Sequence, residues 1–582
     1  MHHRLRADDI ARAMAPDPRW ARPRGLARPV LFASLAACGL LQAVLVFMWA
    51  PWIKGALAIG VVYALATAAA ILALARAGRA TPAPRWAVPA VLLGGFAVAV
   101  ALASGAMHAF PNSADEYGYN YLADTLLRGR LWNEPLPESL QDVFKTGYIA
   151  DRDGKRASQY PPGWPAVLAG FKLAGVPALA NPALGLLASV LLWLCLRRVP
   201  VASGARLAAL VLGAAAPFAL FNNASFFNHT LTAAALLAVI WLDLRDAEAP
   251  SAWNRAGIGF AFSVLLVTRY EAFLVAFALF ALDGVIRKRA RFVPWALPAA
   301  VAGLPLAVVL LWYNWRITGN PLQPTMSWAT PEVTYGLYST GMDGQHSFTR
   351  GLLNTLTWGL GWHNFASVLA IPLFAVALWR RVSAGTVRWF DLILPALVAF
   401  FLLFPDDGGF QHGPRYWYLG HAALPVTIAA GLASRDGLWR LGRRSLDPVR
   451  LAAAQLCAFA GFTLGYAAFL HEQTELRLMP SRVAATAPAH SVVLVRWMEY
   501  PHTRSWQKKP IPFASWDFTR NGLDGFGPVV IGTDLGQTRT VILCWQLDRQ
   551  ILRLVLEGVP PVGRLEPVCN QPVPDRTGDD PP

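Results

Sequence analysis

Apolar runs of roughly twenty residues recur along this chain, separated by short turns that carry arginines. A run of that length is what a helix needs to cross a hydrocarbon core of about 30 Å. Composition agrees: the 582 residues are 55% hydrophobic and only 15% charged, against about 25% charged in a typical soluble protein. The formal net charge of +16 would suit a nucleic-acid binder. Its placement does not, because the arginines sit between apolar runs, as the positive-inside rule requires. A polytopic membrane protein follows, with no nucleic-acid partner.

The first 29 residues carry seven arginines and no apolar segment with a small-residue cleavage site, so they read as a cytoplasmic tail. Spans are expected near 30–52, 56–76 and 86–108, then 181–196, 204–221 and 229–244. The stretch 256–286 is too long for one span and is broken at Thr268-Arg269-Tyr270-Glu271, giving two. Further spans fall near 294–313, 364–379, 388–404, 416–433 and 450–470, about thirteen in all. Residues 163–176 are too short to span and read as a juxtamembrane helix on the outer surface. Arg197-Arg198, the run 286–291, Arg380-Arg381 and the cluster 435–444 then all fall inside. The fold class expected is mainly α, a transmembrane helix bundle over 30–471, with a small extracytoplasmic α+β or β-rich domain at 472–570 and a disordered tail at 571–582. Strands are expected at Ser491–Arg496, Val529–Thr533, Val541–Leu543 and Ile551–Leu556.

Cys38, Cys195 and Cys457 lie in apolar runs as small core residues. Cys544 and Cys569 are either a disulfide or two free thiols. No CxxC or Cys/His spacing points to a structural zinc.

The polar loop 109–165 stands out among the apolar runs. A loop of that length is functional or disordered, its richness in Tyr, Trp, Phe and Leu argues against disorder, and it holds Asp115-Glu116-Tyr117 just past a membrane exit. The expected topology puts four further polar groups on the same side: the 222–229 turn, Arg269 with Glu271, the loop 313–363, and the run 411–416. Each has a plain reading. Acidic pairs in loops are usually solvated, His229 can start a helix, Arg269 and Glu271 can neutralise each other, and Arg415 can anchor at an aromatic interface. The sharper reading is one cavity for an anionic, partly membrane-embedded substrate, with Arg415 on phosphate.

The segment DEYGYNYLADTLLRGRLW followed by DGKRASQYPPGWPAVLA resembles the first outer loop of bacterial GT-C glycosyltransferases, the group of the protein mannosyltransferases and aminoarabinose lipid A transferases. SFFNHTLT, LVTRYEAFL, NWRITGNPL and GPRYWYLGHAALP resemble later landmarks in the same order. The group shows Arg-Pro where this chain has Arg269-Tyr270. The resemblance implies an inverting transfer of a sugar from a polyprenyl-phosphate donor to an envelope glycan, lipid or protein, at the outer face of the bacterial cytoplasmic membrane. Asp115 is then the general base, with Glu116 beside it to orient it, hold a sugar hydroxyl or help bind a divalent cation. Arg415, Arg269 and Lys145 are the donor-phosphate candidates; Tyr117, Tyr160, His229, His363 and Tyr416 are the cavity candidates. The rivals are a transporter or flippase for lipid-linked sugars, and a ligase that moves a whole glycan.

Overall fold

The computed structural model describes residues 65–569, apart from a few positions between 66 and 78 and the stretches 289–291, 334–339, 342–343, 405–412, 434–435, 442–443, 496–520, 524–526 and 558–561. The expected spans 30–52 and 56–76, and both tails, therefore lie wholly or mostly outside the described residues. The chain divides into two units. One holds residues 1–106, 161–313 and 331–468; the other holds 107–160, 314–330 and 469–582.

The first unit is helical. Ala87–Ala101, Ala180–Arg198, His229–Glu248 and Ala252–Thr268 are followed by Tyr270–Lys288, Phe292–Thr318, Ala370–Ser383 and Tyr418–Leu432. Four described helices are long and apolar enough to cross a membrane, or five if a bent pair counts as one. The protein is a multi-pass membrane protein. Phe292–Thr318 makes the point: its most apolar window is only 11% buried, and Val293, Leu297, Val301, Leu304 and Val308 are all exposed. Such a face is stable against lipid and not against water.

The expected thirteen spans are thus not all full-length helices. Residues 204–221 are split into Ser203–Ala214 and Pro217–Ala224, bent by 47°. Pro217 begins the second piece, because it cannot donate within a continuing helix but suits a first turn. Residues 388–404 form a short apolar helix over Trp389–Leu402. The helix through 450–470 instead runs to 37 residues, Pro448–Ala484, past the boundary expected at 471.

Sequence singled out polar groups on one side, and the structure adds buried ionisable groups near the other end of the same helices. His229 opens the helix His229–Glu248, whereas Asp243 and Asp246 lie buried near its other end. Arg388 pairs with Asp243 at 2.8 Å, and Trp389 donates to the same carboxylate at 2.9 Å. Trp295 and Arg255 serve Asp246, and Arg381 pairs with the fully buried Asp391 at 2.8 Å. Arg381, read as a topology signal, has a buried partner, which a linear reading could not supply. Cys195 is buried as expected; Cys457 is exposed, on an apolar helix that keeps a lipid-compatible face.

The second unit is built on a four-stranded sheet in the order Val562–Pro567, Gln550–Glu557, Ser491–Val495, Val529–Thr533. Ser491–Val495 pairs in parallel with both neighbours, and the Val562 strand closes one edge antiparallel. Residues Val541–Leu543, expected as strand, lie in the helix Gln537–Gln546. A short apolar run carries no period that separates the two states. The strand Val562–Pro567 was not anticipated.

The stretch 109–165 is not an extended loop. It holds the helix Ala114–Leu127, the hairpin Ile149–Arg152 with Lys155–Ser158, and the start of the helix Gly163–Leu173. Its Leu136, Leu140, Val143 and Phe144 are buried in one core with Val492, Leu494, Val530 and Ile551 of the sheet and Leu543 of the helix Gln537–Gln546. The backbone N–H of Thr533 donates to Val143 at 2.8 Å.

Cys544 and Cys569 form a disulfide, which links the helix Gln537–Gln546 to the chain just after the last strand. Cross-linking across a separation of 25 residues restricts the unfolded chain by about 3 kcal/mol in the chain-entropy account. Reduction, or Cys544→Ser, is therefore expected to lower the melting temperature of the second unit. Differential scanning fluorimetry with and without reductant reads this directly.

Candidate active site

The residues singled out by sequence fall into two sets, one in each unit. In the second unit, Ser113 is extended and caps the helix Ala114–Leu127, accepting from the Glu116 N–H. Its hydroxyl also donates to the Glu116 carboxylate at 3.1 Å. Ser-x-x-Glu is the sequence pattern of a helix start, and here the Ser113 hydroxyl links the Glu116 backbone N–H and carboxylate. Glu116 is consequently turned inward, 1% exposed. Asp115 is half-buried, and Tyr160 donates its hydroxyl to the Asp115 Oδ1 at 2.5 Å. The two carboxylates, alike in sequence, have different surroundings.

Tyr160 reaches Asp115 because of what lies between. The Tyr160 ring packs on Tyr119 with centroids 4.1 Å apart and lies over Gly118, where an added Cβ would meet the ring at 2.9 Å. The Ser158 hydroxyl donates to the Gly118 carbonyl at 3.0 Å and fixes the strand that leads to Tyr160. Burial first, and the Asp115 carboxylate next, hold the Tyr160 phenol well above its ordinary range. It remains a donor at any physiological pH.

The hairpin beneath is held by an ion pair. Arg156 Nη1 lies 2.7 Å from Asp151 Oδ2, with both side chains under a tenth exposed. Asn133 donates to Tyr121 and Thr125 of the Asp115 helix and pairs its backbone with Arg156. Tyr117 is tied elsewhere: its hydroxyl donates to the Asn521 carbonyl at 2.8 Å. Lys145 is exposed, between the buried Phe144 and Thr146.

In the first unit, structure brings His229, Arg269, Arg415 and Tyr416 together. Arg269 occupies the extended residue that breaks the helices Ala252–Thr268 and Tyr270–Lys288. Asn228 ties that break to the start of the His229 helix, donating to the Thr268 carbonyl at 3.1 Å. Arg269 Nη1 contacts His229 Nδ1 at 2.5 Å. A guanidinium only donates, so His229 Nδ1 is the acceptor and the imidazole proton sits on Nε2. Arg269 also pairs with Glu271, and its guanidinium lies 5.1 Å from the Tyr416 ring.

Arg415 completes the group. Its guanidinium lies 4.7 Å over the Phe227 ring and 5.5 Å from Tyr416, and Phe227 stacks on His229 at 5.2 Å. The two arginines are 6% and 9% exposed. The two cations share aromatic walls, whose faces offset part of their desolvation. The sequence candidates omitted Phe227 and Gly118; the only signals were their places inside SFFNHT and DEYGY. His363 belongs to the helix Phe348–Phe365, and its side chain lies outside the described residues.

No family model matches the chain, and no curated protein matches it. Among solved structures, the chain is similar to ArnT from Cupriavidus metallidurans bound to undecaprenyl phosphate. That match has 13% identity, covers 79% of this chain and 88% of that one, and has a TM-score of 0.47. It is similar to the Archaeoglobus fulgidus oligosaccharyltransferase at 12% identity, covering 81% and 70%, with a TM-score of 0.40. It is also similar to the mycobacterial arabinofuranosyltransferase AftD at 17% identity, covering 78% and 32%, with a TM-score of 0.37.

Tyr160→Phe removes the bond to Asp115 and leaves the ring packing in place. A hydrogen bond to a charged group contributes about 1.5–3 kcal/mol. Any activity that needs Asp115 in one position is therefore expected to fall about 10- to 100-fold by that arithmetic, with the melting temperature little changed. Initial rates beside a thermal melt separate the two effects.

Proposed function

We propose that this chain is an integral membrane glycosyltransferase that moves a sugar from a polyprenyl-phosphate donor to an envelope acceptor. The observation that carries this reading is the division of work between adjacent carboxylates. Glu116 is buried and its carboxylate accepts from the capping Ser113 hydroxyl, while Asp115 is half-buried and oriented by a permanently protonated phenol. That is the environment of a positioned general base. The arginine pair, Arg269 and Arg415, supplies the other requirement, fixed positive charge for a phosphate.

In this reading the acceptor hydroxyl attacks the anomeric carbon as its proton passes to Asp115. The new bond to the acceptor oxygen forms as the bond from the anomeric carbon to the phosphate oxygen breaks. The electron pair leaves with the polyprenyl phosphate. The leaving group is a weak base, so it needs charge stabilisation rather than a strong acid, and Arg415 with Arg269 supplies it. Lys145 is a lesser candidate for the phosphate, and Tyr416 shapes the walls of the arginine site. A lipid donor suits a membrane bundle, and the envelope face of the bacterial cytoplasmic membrane is where such donors and acceptors meet.

The test uses purified protein in nanodiscs, a panel of radiolabelled polyprenyl-phosphate sugars and envelope acceptor extract. Release of free polyprenyl phosphate with transfer of the label is the expected result. A second reading, a transporter of lipid-linked sugars, draws on the buried Asp243, Asp246 and Asp391; each of these has an arginine partner. Saturable donor binding with no turnover of any donor would favour it.

A further inference from the structure

Apart from the carboxylate of Asp115, the same stretch of chain carries a second chemical group. His108 Nε2 lies 3.1 Å from His471 Nδ1 and 2.8 Å from Glu475 Oε1. Among the described residues, these three side chains form the one group of His, Cys, Asp or Glu whose ligand atoms lie within 4.8 Å of one another. We propose that they bind a divalent transition-metal ion, zinc by preference, which clamps the chain before Asp115 to the helix Pro448–Ala484.

Three observations support it. First, the hydrogen bonding is over-subscribed. His108 Nε2 faces both a carboxylate oxygen and an imidazole nitrogen, and a neutral ring can offer only one proton there. If His471 Nδ1 also carried a proton, two N–H groups would oppose each other. A metal ion replaces the contested proton with one centre that all three atoms face. Ligand atoms about 2.0–2.1 Å from a tetrahedral zinc stand roughly 3.3 Å apart, so the observed separations need only a few tenths of an ångström of opening. Second, His108 and Ala109 have φ of 52° and 51°. Two successive non-glycine residues in the left-handed region persist only where the surroundings fix them. The bend they make presents His108 to the helix. Third, His471 and Glu475 are four apart on that helix and so share a face, and Arg482 forks onto the Glu475 carboxylate. Ligating carboxylates are commonly held by such a partner.

The donor set favours the metal class. Two imidazoles and one carboxylate suit zinc, cobalt or nickel, whereas magnesium and calcium prefer oxygen alone. The side chains of His108 and Glu475 are 30% and 35% exposed, which leaves room for a water as fourth ligand. The clamp would work beside a bond already present, from the Thr474 hydroxyl to Asn112 Oδ1 at 3.0 Å. Asn112 immediately precedes the capping Ser113. Sequence motifs did not reveal the group, because its first ligand is far in the chain from the other two.

The experiment uses untagged full-length protein in nanodiscs, stripped with chelator and titrated with Co²⁺ and then Zn²⁺. The chain begins Met1-His2-His3, so all variants carry His2→Ala and His3→Ala. The proposal expects one equivalent of Co²⁺ with visible d–d absorption, displaced by Zn²⁺, and a Zn²⁺-dependent rise in melting temperature. His471→Ala and Glu475→Gln should each weaken Zn²⁺ binding at least tenfold. Arg482→Gln, which removes no ligand, should weaken it by about tenfold. Asp115→Asn should bind Zn²⁺ like wild type. Absence of stoichiometric binding to wild type, or unchanged affinity in both ligand variants, overturns the proposal. Neither outcome depends on transferase activity, so the metal site and the enzymatic reading fail separately.

Discussion

Asp115→Asn is expected to lower sugar transfer by about 10²–10⁴, the usual contribution of a positioned general base. The substitution is close to isosteric. The Tyr160 hydroxyl can still donate to the amide oxygen in place of Oδ1, so the helix start and the ring packing survive. What disappears is the capacity to take a proton as the acceptor attacks. The loss should fall on turnover, with donor affinity nearly unchanged, because the base acts on the acceptor and in the transition state. Glu116→Gln makes the contrast. Its carboxylate accepts from the Ser113 hydroxyl, and weakening such a hydrogen bond costs about 0.5–1.5 kcal/mol of stability with little effect on rate. Initial rates and thermal melts on both variants separate the two carboxylates. Equal rate losses would contradict the division of roles.

Arg415→Ala is expected to cost about 10²–10³ in turnover, the scale on which removing a fixed stabiliser of developing charge is felt. The guanidinium is nearly buried between Phe227 and Tyr416, so water cannot replace it efficiently. Arg415→Lys should recover only part of the rate. An ammonium keeps the charge but lacks the planar fork that can lie on an aromatic face and meet two phosphate oxygens. Arg269 is a less clean test, since it also holds His229 and Glu271, and its loss would disturb the fold. Rates at saturating donor, for Arg415→Ala and Arg415→Lys side by side, read the effect. Full activity in Arg415→Ala would remove this residue from the phosphate site.

Much of this was legible in the chain, for identifiable reasons. Apolar length marked the helices, and the polar run Thr268-Arg269-Tyr270-Glu271 inside an apolar stretch marked the break at which Arg269 sits. The gathering of the 222–229 turn, Arg269 and the run 411–416 was expected from the side of the membrane on which the topology put them, and not from spacing. The cap at Ser113 was visible and passed over: Ser113-Ala114-Asp115-Glu116 is itself a capping-box pattern. Two features had no local signal. Leu136, Leu140, Val143 and Phe144 are buried against strands that follow hundreds of residues later. Arg381 read only as a topology signal, because Asp391 becomes its partner only through packing.

The most direct measurement is the anomeric configuration of the product, determined by NMR after transfer from a donor of known configuration. An acceptor activated by Asp115 attacks the anomeric carbon once, opposite the departing phosphate, so the account predicts inversion. Retention would require a second displacement through a covalent sugar–enzyme intermediate, and it would contradict the assignment of Asp115 as the base.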